Sequence, residues 1–463
     1  MTRTYGLAVH PWFALAFSAV LGLAAGACGD DDDAVPGDTN DDGDDQGTEP
    51  DAAGQAADAA PEPTIDAAPS GPDAAVETTV RSIGMGNSVS CAVLSTGTVR
   101  CWGANEQGQS GIGTLDSPQT SPTDVVGLTS AVSVDCGTAH CCAGTEEGGA
   151  QCWGWNAAGE LGANLTGAEM FNRPTPGSVL EPAAKGVAEV SGATQVAAGG
   201  AHNCAVKGGE VWCWGWNAAG QGGNDPQGGA NGNLYVANPS GITDVVQVAL
   251  AHAFLAEHSC AVTSSGQAIC WGLNDQGQLG DGGTAGRHTA APVGLVSVTA
   301  VAAGSKHTCA IGRPADAPKS EPAVFCWGLN DFGQAGPDAV SPQLTPIAVP
   351  GVEGAVALAG GQSHTCALLD TGSIRCWGAN NFGQLGDGTV VNHAEPSDVV
   401  SPDGSGMLIG VAQVATGFGN SCARTVTGRV FCWGLNDLGQ LGQGTATPEG
   451  SLAPIEVPVL PER

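Results

Sequence analysis

The fold is decided by the stretch Cys270-Trp271-Gly272-Leu273-Asn274-Asp275-Gln276-Gly277-Gln278-Leu279-Gly280, because its pattern recurs along the chain. The tripeptide Cys-Trp-Gly occurs seven times in the 463 residues, each time with an Asn two residues after the Gly and then a Gly-rich turn. Successive copies begin 50 to 61 residues apart, at Cys101, Cys152, Cys213, Cys270, Cys326, Cys376 and Cys432. Self-similarity at a nearly constant period is the signature of a repeat architecture.

Each repeat also predicts four short strands. A second constant element, typified by residues 301–310, precedes each tripeptide and has the pattern of strand, turn, strand. A hairpin signal such as residues 368–375 joins the two elements, and an extended piece such as residues 346–350 follows the Gly-rich turn. Seven units of four strands predict an all-β fold, a seven-bladed β-propeller with four antiparallel strands per blade, over residues 79–463.

The recurrent Trp is expected to pack between blades, since no blade can bury both of its own faces. Its indole N–H is then expected to donate to a nearby backbone carbonyl. The alternative role for this Trp, stacking on a ligand, is disfavoured because the residue recurs in every unit.

The units resemble those of the regulator of chromosome condensation family, which has the elements His-Thr-x-Ala-Leu and Trp-Gly-x-Asn-x-x-Gly-Gln-Leu-Gly. The resemblance covers residues 79–460, and it is specific because two spaced elements recur in order seven times. It implies a seven-bladed propeller in which the last strand completes the first blade. Residues 454–459 are therefore expected to close the ring by joining the strand around residues 80–83. The family name also implies one candidate function, guanine-nucleotide exchange.

The cysteines predict seven disulfides within blades. Each Cys-Trp-Gly cysteine has an upstream mate, and five of the pairs are ten residues apart, which places the two residues opposite each other on adjacent strands. The alternative is a set of reduced, buried cysteines. Cys136 and Cys141 form a further candidate pair. The seven predicted bonds are Cys91 with Cys101, Cys142 with Cys152, Cys204 with Cys213, Cys260 with Cys270, Cys309 with Cys326, Cys366 with Cys376, and Cys422 with Cys432.

The first 28 residues are typical of an export signal, with Arg3, an apolar run and small residues that end at Cys28. Residues 25–28 resemble a bacterial lipobox, so Cys28 is the predicted lipidation site and a lipid anchor the predicted membrane contact. An ordinary cleaved signal or an uncleaved anchor are the alternatives. All three interpretations place the rest of the chain outside the cytoplasm. The lipid-anchored one predicts a protein of the cell envelope, at the outer membrane, in the periplasm or on the cell surface.

Residues 29–78 are expected to form a disordered tether. The segment carries sixteen Asp and Glu residues with no Lys or Arg, and it has too little apolar surface to offset the entropy of ordering. Residues 38–49 match a calcium-loop pattern, but an Asp-rich tract produces such matches by chance and no helices flank it. The net charge of −32 and the pI of about 4.2 exclude nucleic acid and anionic membrane surfaces as expected partners.

Five histidines stand two residues before a repeat cysteine, a spacing that could suggest a metal or Cys-His site. Repetition favours a structural role, orienting a turn or capping a strand, because a catalytic dyad is needed once. We therefore predict no metal site, no cofactor and no catalytic residue. The five are His140, His202, His258, His307 and His364.

Two departures from the repeat suggest where the protein binds. Residues 163–195 and 220–240 are long insertions after the turns of units two and three, so both are expected to project from one ring face. A third insertion, residues 313–322, is expected on the opposite face. Aromatic and polar residues in or near the first two form the candidate patch, as such side chains dominate interfaces: Trp155, Phe171, Arg173, Trp216, Asn224 and Tyr235.

The sequence thus predicts a monomeric, exported interaction module that presents a protein-binding or glycan-binding propeller face. Guanine-nucleotide exchange is one alternative, although the chain is acidic and carries an export signal. A glycan-active enzyme at the propeller mouth is another, but such a site should break the repeat with carboxylates unique to one unit, and none stands out.

Overall fold

The protein is described by a computed structural model that covers residues 78–165, 167–224, 232–252 and 257–460. The predicted export signal, Cys28, the acidic tether and its calcium-loop match lie outside the described residues. Within them the chain forms seven four-stranded antiparallel sheets, each a meander of consecutive strands. The seven-bladed all-β propeller is therefore confirmed.

The strands of blades 1 to 4 follow the chain in order. Blade 1 has β1 (Val80–Met85), β2 (Val89–Leu94), β3 (Val99–Gly103) and β4 (Gln119–Asp124). Blade 2 has β5 (Ala131–Cys136), β6 (His140–Thr145), β7 (Ala150–Trp155) and β8 (Asn172–Ser178). Blade 3 has β11 (Ala193–Ala198), β12 (His202–Lys207), β13 (Glu210–Gly215) and β14 (Leu234–Pro239). Blade 4 has β15 (Val245–Leu250), β16 (His258–Thr263), β17 (Ala268–Gly272) and β18 (Arg287–Pro292).

Blades 5 to 7 complete the ring. Blade 5 has β19 (Leu295–Ala303), β20 (His307–Pro314), β21 (Ala323–Gly328) and β22 (Gln343–Ala348). Blade 6 has β23 (Ala355–Gly360), β24 (His364–Leu369), β25 (Ile374–Gly378) and β26 (His393–Asp398). Blade 7 has β27 (Val411–Thr416), β28 (Asn420–Thr425), β29 (Val430–Asn436) and β30 (Thr447–Val457). Outside the blades lie a 3-10 helix, Gly167–Met170, and a hairpin of β9 (Leu180–Ala183) and β10 (Gly186–Glu189).

The meander order gives the ring two distinct faces. Connections from first to second strand and from third to fourth strand emerge at the same end of each blade, and we call this side the turn face. Connections from second to third strand, together with those between blades, emerge at the other end, which we call the hairpin face. Residues 315–322 join β20 to β21, so the third insertion lies on the hairpin face, opposite the Gly-rich turns.

The apolar core lies in the seams between blades. Each of seven buried clusters draws its residues from two neighbouring blades; the one that contains Trp327, for example, joins Val262 of blade 4 to Val301 of blade 5. The second strands are the most enclosed, and β2, β6, β16 and β24 are buried at every position. Blades therefore stabilise one another rather than themselves, as expected of a ring of repeats.

Every repeat Trp ties its blade to the preceding one, as the sequence predicts. The seven indole Nε1–H groups donate to a backbone carbonyl in the preceding blade's turn at 2.8–2.9 Å. The acceptor is the Gln of the Gly-rich turn in six seams, such as Gln278 for Trp327, and Glu160 in the seventh. All seven indoles are at most 1% exposed, so these bonds are made away from water.

The repeat histidines also bridge blades, which goes beyond the turn or strand cap expected from the sequence. The Nε2 atom of each lies 2.7–2.9 Å from a Ser, Thr or Asn oxygen of the following blade. At the blade 5–6 seam, Thr365 Oγ1 donates to the Gln334 carbonyl and so accepts from His307 Nε2–H. The histidine ring packs on its turn glycine; a Cβ on Gly199 would lie 2.9 Å from His202 Cε1.

The ring closes differently from the expectation. Residues 454–459 do not pair with the strand around residues 80–83, because β30 is the fourth strand of blade 7 and β1 is the first strand of blade 1. Blades 7 and 1 instead meet through side chains: Trp102 Nε1 donates to the Gln440 carbonyl, and Gln413 bonds both the amide and the carbonyl of Ile83. Ring closure therefore uses the same packing as the other seams.

The seam between blades 7 and 1 lacks the repeat histidine. Blade 7 has Asn420 in place of the repeat His, and neither polar atom of its buried amide meets a hydrogen-bond partner among the described residues. Ser90, the counterpart of Thr365, lies across the seam and donates to the Gln440 carbonyl. The blade 7–1 seam thus lacks one interblade hydrogen bond.

We expect Asn420→His to raise the melting temperature, because an imidazole at this position would donate to Ser90 and relieve an unpaired amide. The gain should be about 1 kcal/mol, the usual net contribution of one hydrogen bond. The matched variant His364→Asn, which creates the blade 7 arrangement at the blade 6–7 seam, should lower the melting temperature. Thermal unfolding of both variants tests this, and a destabilised Asn420→His protein would contradict it.

Candidate binding face

Some side chains of the predicted patch are exposed to solvent, and others are half-buried in the fold. Trp155 and Trp216 each follow a Cys-Trp-Gly tripeptide, at the start of the turns of blades 2 and 3, and both side chains are half-buried. Phe171, at the end of the blade 2 turn, is 61% exposed, and its neighbour Met170 is exposed as well. The most accessible apolar side chain of the patch is therefore Phe171 rather than either Trp.

Tyr235 of blade 3 packs on the turn of blade 2. Its side chain lies against Gly159, where an added Cβ would come within 3.1 Å of Tyr235 Cδ1. Its carbonyl accepts from Asn164 N at 3.0 Å, and Ala163 forms a β-bridge with Val236. Tyr235 remains 46% exposed, so its ring adds accessible apolar surface beside the blade 2 turn.

Arg173 and Asn224 do not serve as solvent-facing contacts. The Arg173 guanidinium is half-buried and donates to the Cys152 carbonyl at 2.9 Å, and desolvation lowers its pKa. Asn224 Oδ1 accepts from Asn217 Nδ2 at 3.0 Å, the place that Asp281 fills beside Asn274 in blade 4. Both residues are half-buried and bonded within the fold, so the exposed apolar part of the patch consists of the aromatic side chains and Met170.

The two long insertions are shorter than the sequence suggested, and only part of them lies on the turn face. Residues 163–195 contain β8, the hairpin β9–β10 and the start of β11, and residues 220–240 contain β14. The hairpin connects blade 2 to blade 3, so it belongs to the hairpin face, where Lys207 Nζ pairs with Glu181. The expectation that both insertions project wholly from one face is therefore wrong.

The first strands of all seven blades line a central channel of about 360 Å³. Glutamine side chains connect these strands: Gln195 bonds both the amide and the carbonyl of Val248 in the next blade, and Gln247 does the same to Val301. Asp135 makes a similar bridge by accepting from Ala198 N at 3.0 Å. Polar side chains of the channel wall thus join neighbouring blades.

Asp135 and His252 break the symmetry of the channel. His252 of blade 4 reaches to blade 2, where its Nδ1 lies 3.3 Å from the Cys136 carbonyl. Desolvation raises the pKa of Asp135, and His252 and two backbone amides partly offset that effect. No carboxylate unique to one unit was expected from the sequence, yet Asp135 occupies a position held by Gly or Ala in the other blades. Aligning the units position by position would have revealed it.

A buried serine, histidine and glutamate meet at the blade 3–4 seam. His202 Nε2 lies 2.8 Å from Ser259 Oγ, and His202 Nδ1 lies 2.5 Å from Glu257 Oε2. This is the order of groups in a hydrolase triad. All three side chains are fully buried, however, and Ser259 donates its proton to the Gln221 carbonyl at 2.9 Å, as its counterparts do in other seams. The cluster therefore reinforces the seam.

Glu160 stands where the other six blades have the turn Gln. Its Oε2 accepts from Ala158 N at 2.8 Å, the bond that Gln278 Oε1 makes with Gln276 N in blade 4. The side chain is fully buried, and desolvation raises its pKa to about 8. A protonated carboxyl thus imitates the amide at neutral pH.

Eight disulfides are present among the described residues. The seven predicted pairs are bonded, with Cα–Cα distances of 4.1 Å, and Cys136 is bonded to Cys141. Cys91, Cys136 and Cys141 have sulfur atoms close enough to share a metal ion, but all three are in disulfides and so lack the thiolate that a metal binds. Cys141 fills the position of the seam hydroxyl at the blade 1–2 seam.

The comparisons with known proteins agree with this architecture. A model of the RCC1-like domain matches residues 182–463, and models of the regulator of chromosome condensation (RCC1) repeat match residues 80–109 and 96–143. The chain belongs to the RCC1-like family. The ultraviolet-B receptor UVR8 of Arabidopsis thaliana is 32% identical over 78% of this chain and 78% of its own length.

Other family members differ in their overall size. The E3 ubiquitin-protein ligase HERC2 of Mus musculus is 32% identical over half of this chain, but the match spans 5% of the ligase. Among solved structures, Prp20p of Saccharomyces cerevisiae has a TM-score of 0.62 and 20% identity, covering 82% of this chain and 87% of Prp20p. The match to Prp20p shows a shared propeller fold. In the described part of this chain no helix is long and apolar enough to cross a membrane.

Glu160→Gln should stabilise the protein increasingly as the pH rises from about 5 to 8. The folded state holds a proton on Glu160 that the unfolded state releases above a pKa near 4.5, so the wild type loses stability through this window. The variant carries no such proton and should match the wild type near pH 4. Melting temperatures between pH 4 and 9 test this, with Gln384→Glu as the reciprocal variant, which should be destabilised most at high pH.

The buried histidines should destabilise the protein in acid. Desolvation lowers the pKa of His140 and His307 to about 4 and that of His364 to about 3, so unfolding takes up protons between pH 6.5 and 4 and stability falls through that window. His307→Asn should lower stability at pH 7 but flatten the slope of melting temperature against pH. Replacement of the exposed His288 by Asn is the control, and an equal flattening in both variants would contradict the assignment.

Proposed function

We propose that this RCC1-like protein is an exported, lipid-anchored binding module, and that its turn face takes up a protein ligand at Met170, Phe171 and Tyr235. The observation that carries the proposal is the exposure of Met170, Phe171 and Tyr235 at the blade 2 turn and the strand that packs on it, with Phe171 61% exposed. Monomeric proteins rarely leave such side chains together in water, and clusters of this kind mark interaction sites.

The surrounding geometry supports uptake of a ligand on a rigid surface. Tyr235 is held against Gly159, and the Asn156 amide bonds to the Phe171 carbonyl at 2.8 Å, so both aromatic residues are anchored by backbone contacts. A surface whose backbone is already ordered loses less entropy on binding than a disordered one. The predicted export signal and Cys28 support a place in the cell envelope, where the tether would hold the ring away from the membrane.

Site-specific photo-crosslinking tests this proposal. A benzophenone amino acid at position 171 in the full chain, irradiated in envelope extract, should give a discrete product, whereas the same group at Val426 on the hairpin face should not. Tyr235→Ser should reduce the yield from position 171 by roughly fivefold or more, as expected when a contact residue is truncated. Equal products from positions 171 and 426 would refute the proposal, and a product resistant to protease would identify a glycan ligand instead.

A further inference from the structure

Exposed acidic side chains dominate the charged positions of the turn face. Within the described connections of this face, Lys306 is the single Lys or Arg, and its Nζ lies 2.7 Å from Asp275 Oδ2. Eight exposed carboxylates share the same connections: Glu106, Asp116, Glu169, Asp275, Asp281, Asp331, Asp338 and Asp437. The connections of the hairpin face contain Lys185, Lys319 and Arg429 as well as acidic residues. In the described connections of the turn face, by contrast, the one positive side chain is already paired with an Asp.

A second apolar surface lies on this face between blades 6 and 7. Phe382 rests on Gly419 of blade 7, where an added Cβ would lie 2.7 Å from Phe382 Cδ2, and Leu452 rests in the same way on Gly383 of blade 6. Gly388 N donates to the Leu452 carbonyl at 3.1 Å, which places the exposed Val390 and Val391 in the same seam. We call Phe382, Val390, Val391 and Leu452 the blade 6–7 cluster.

Fixed carboxylates flank this cluster on both sides. Asp331, in the turn of blade 5, accepts from Ser341 Oγ at 2.6 Å, and Asp437, in the turn of blade 7, accepts from Gln440 Nε2 at 2.9 Å. Leu435, two residues before Asp437, lies against the same Gly419 as Phe382. Each acidic side chain is therefore oriented by a neighbouring donor while it remains exposed.

We infer that the blade 6–7 cluster docks a cationic amphipathic segment of a protein ligand, whose apolar side chains pack on Phe382 and Leu452 and whose Lys or Arg side chains face Asp331 and Asp437. The inference rests on the proposed function and specifies the chemistry of its partner. Charge complementarity favours this occupant, because an acidic segment or an anionic lipid surface would be repelled by the turn face.

Labelled peptides test the inference with the full chain. A fluorescent amphipathic peptide of Lys and Leu should bind, and a peptide with every Lys replaced by Glu should not. Phe382→Ser with Leu452→Ser, and separately Asp331→Asn with Asp437→Asn, should each weaken the cationic peptide by roughly tenfold, as expected for loss of central contacts. The hairpin-face control Val426→Ser with Asp403→Asn should leave its dissociation constant unchanged. Equal weakening by the turn-face and hairpin-face variants would overturn the inference.

The acidic segment of residues 29–78 could bind the same peptide, so the contact site must also be mapped. A benzophenone-bearing cationic peptide should crosslink to residues 379–392 and 435–452, as identified by mass spectrometry. Crosslinks confined to residues 29–78 would overturn the inference even if the affinity were high. Crosslinking from position 171 in envelope extract is scored separately, so the proposed function can succeed where this inference fails.

Discussion

The carbonyl oxygen of the turn Gln is the atom on which the ring depends. In the blade 4–5 seam, the Gln278 carbonyl accepts from both Trp327 Nε1 and Thr308 Oγ1 at 2.9 Å. Thr308 in turn accepts from His258 Nε2 at 2.7 Å. These groups are buried, and a buried donor or acceptor that loses its partner costs about 1–3 kcal/mol. Each seam therefore constrains the Trp and the hydroxyl that share this carbonyl, while the Gln278 side chain holds the turn in place by accepting from Gln276 N at 2.8 Å.

The departures from this network show what each seam can tolerate. Glu160 keeps the turn geometry by holding a proton, and Asn203 replaces the hydroxyl while still bonding to both His140 and the Glu160 carbonyl. At the blade 1–2 seam, Cys141 replaces the hydroxyl and pairs with Cys136, so sulfur packing substitutes for the polar link. At the blade 7–1 seam, Asn420 stands in place of the histidine and makes no hydrogen bond across the seam among the described residues. The polar groups can differ from seam to seam because every seam also contains a buried apolar cluster that holds the two blades together.

Features that recur in every unit, such as the blades and the disulfides, were predictable from the sequence. Features that depend on where a strand begins or ends, such as β8 and the β9–β10 hairpin, were not. The number of repeats predicts the blade number, the constant spacing within a unit predicts the disulfide pairs, and the recurrence of the Trp predicts that it packs between blades. The segment Asn172–Ser178 contains two prolines and no alternating pattern, so β8 was counted as part of an insertion, although an outer strand tolerates Pro. That error moved the β9–β10 hairpin to the wrong face. Ring closure was misassigned because it depends on tertiary packing between blades 7 and 1.

The division between seam and turn explains how one ring can carry exposed apolar side chains without losing stability. Positions that face a seam are constrained by two blades, whereas the side chain that rests on each turn glycine varies freely, being Thr120, Pro174, Tyr235, His288, Leu344, Ala394 or Leu452. The side chain at that position packs on the glycine backbone on one side and faces the solvent of the turn face on the other. The apolar side chains of Tyr235 and Leu452 therefore add exposed surface at little structural cost, and acidic side chains in the turns around them give the proposed binding face its negative charge.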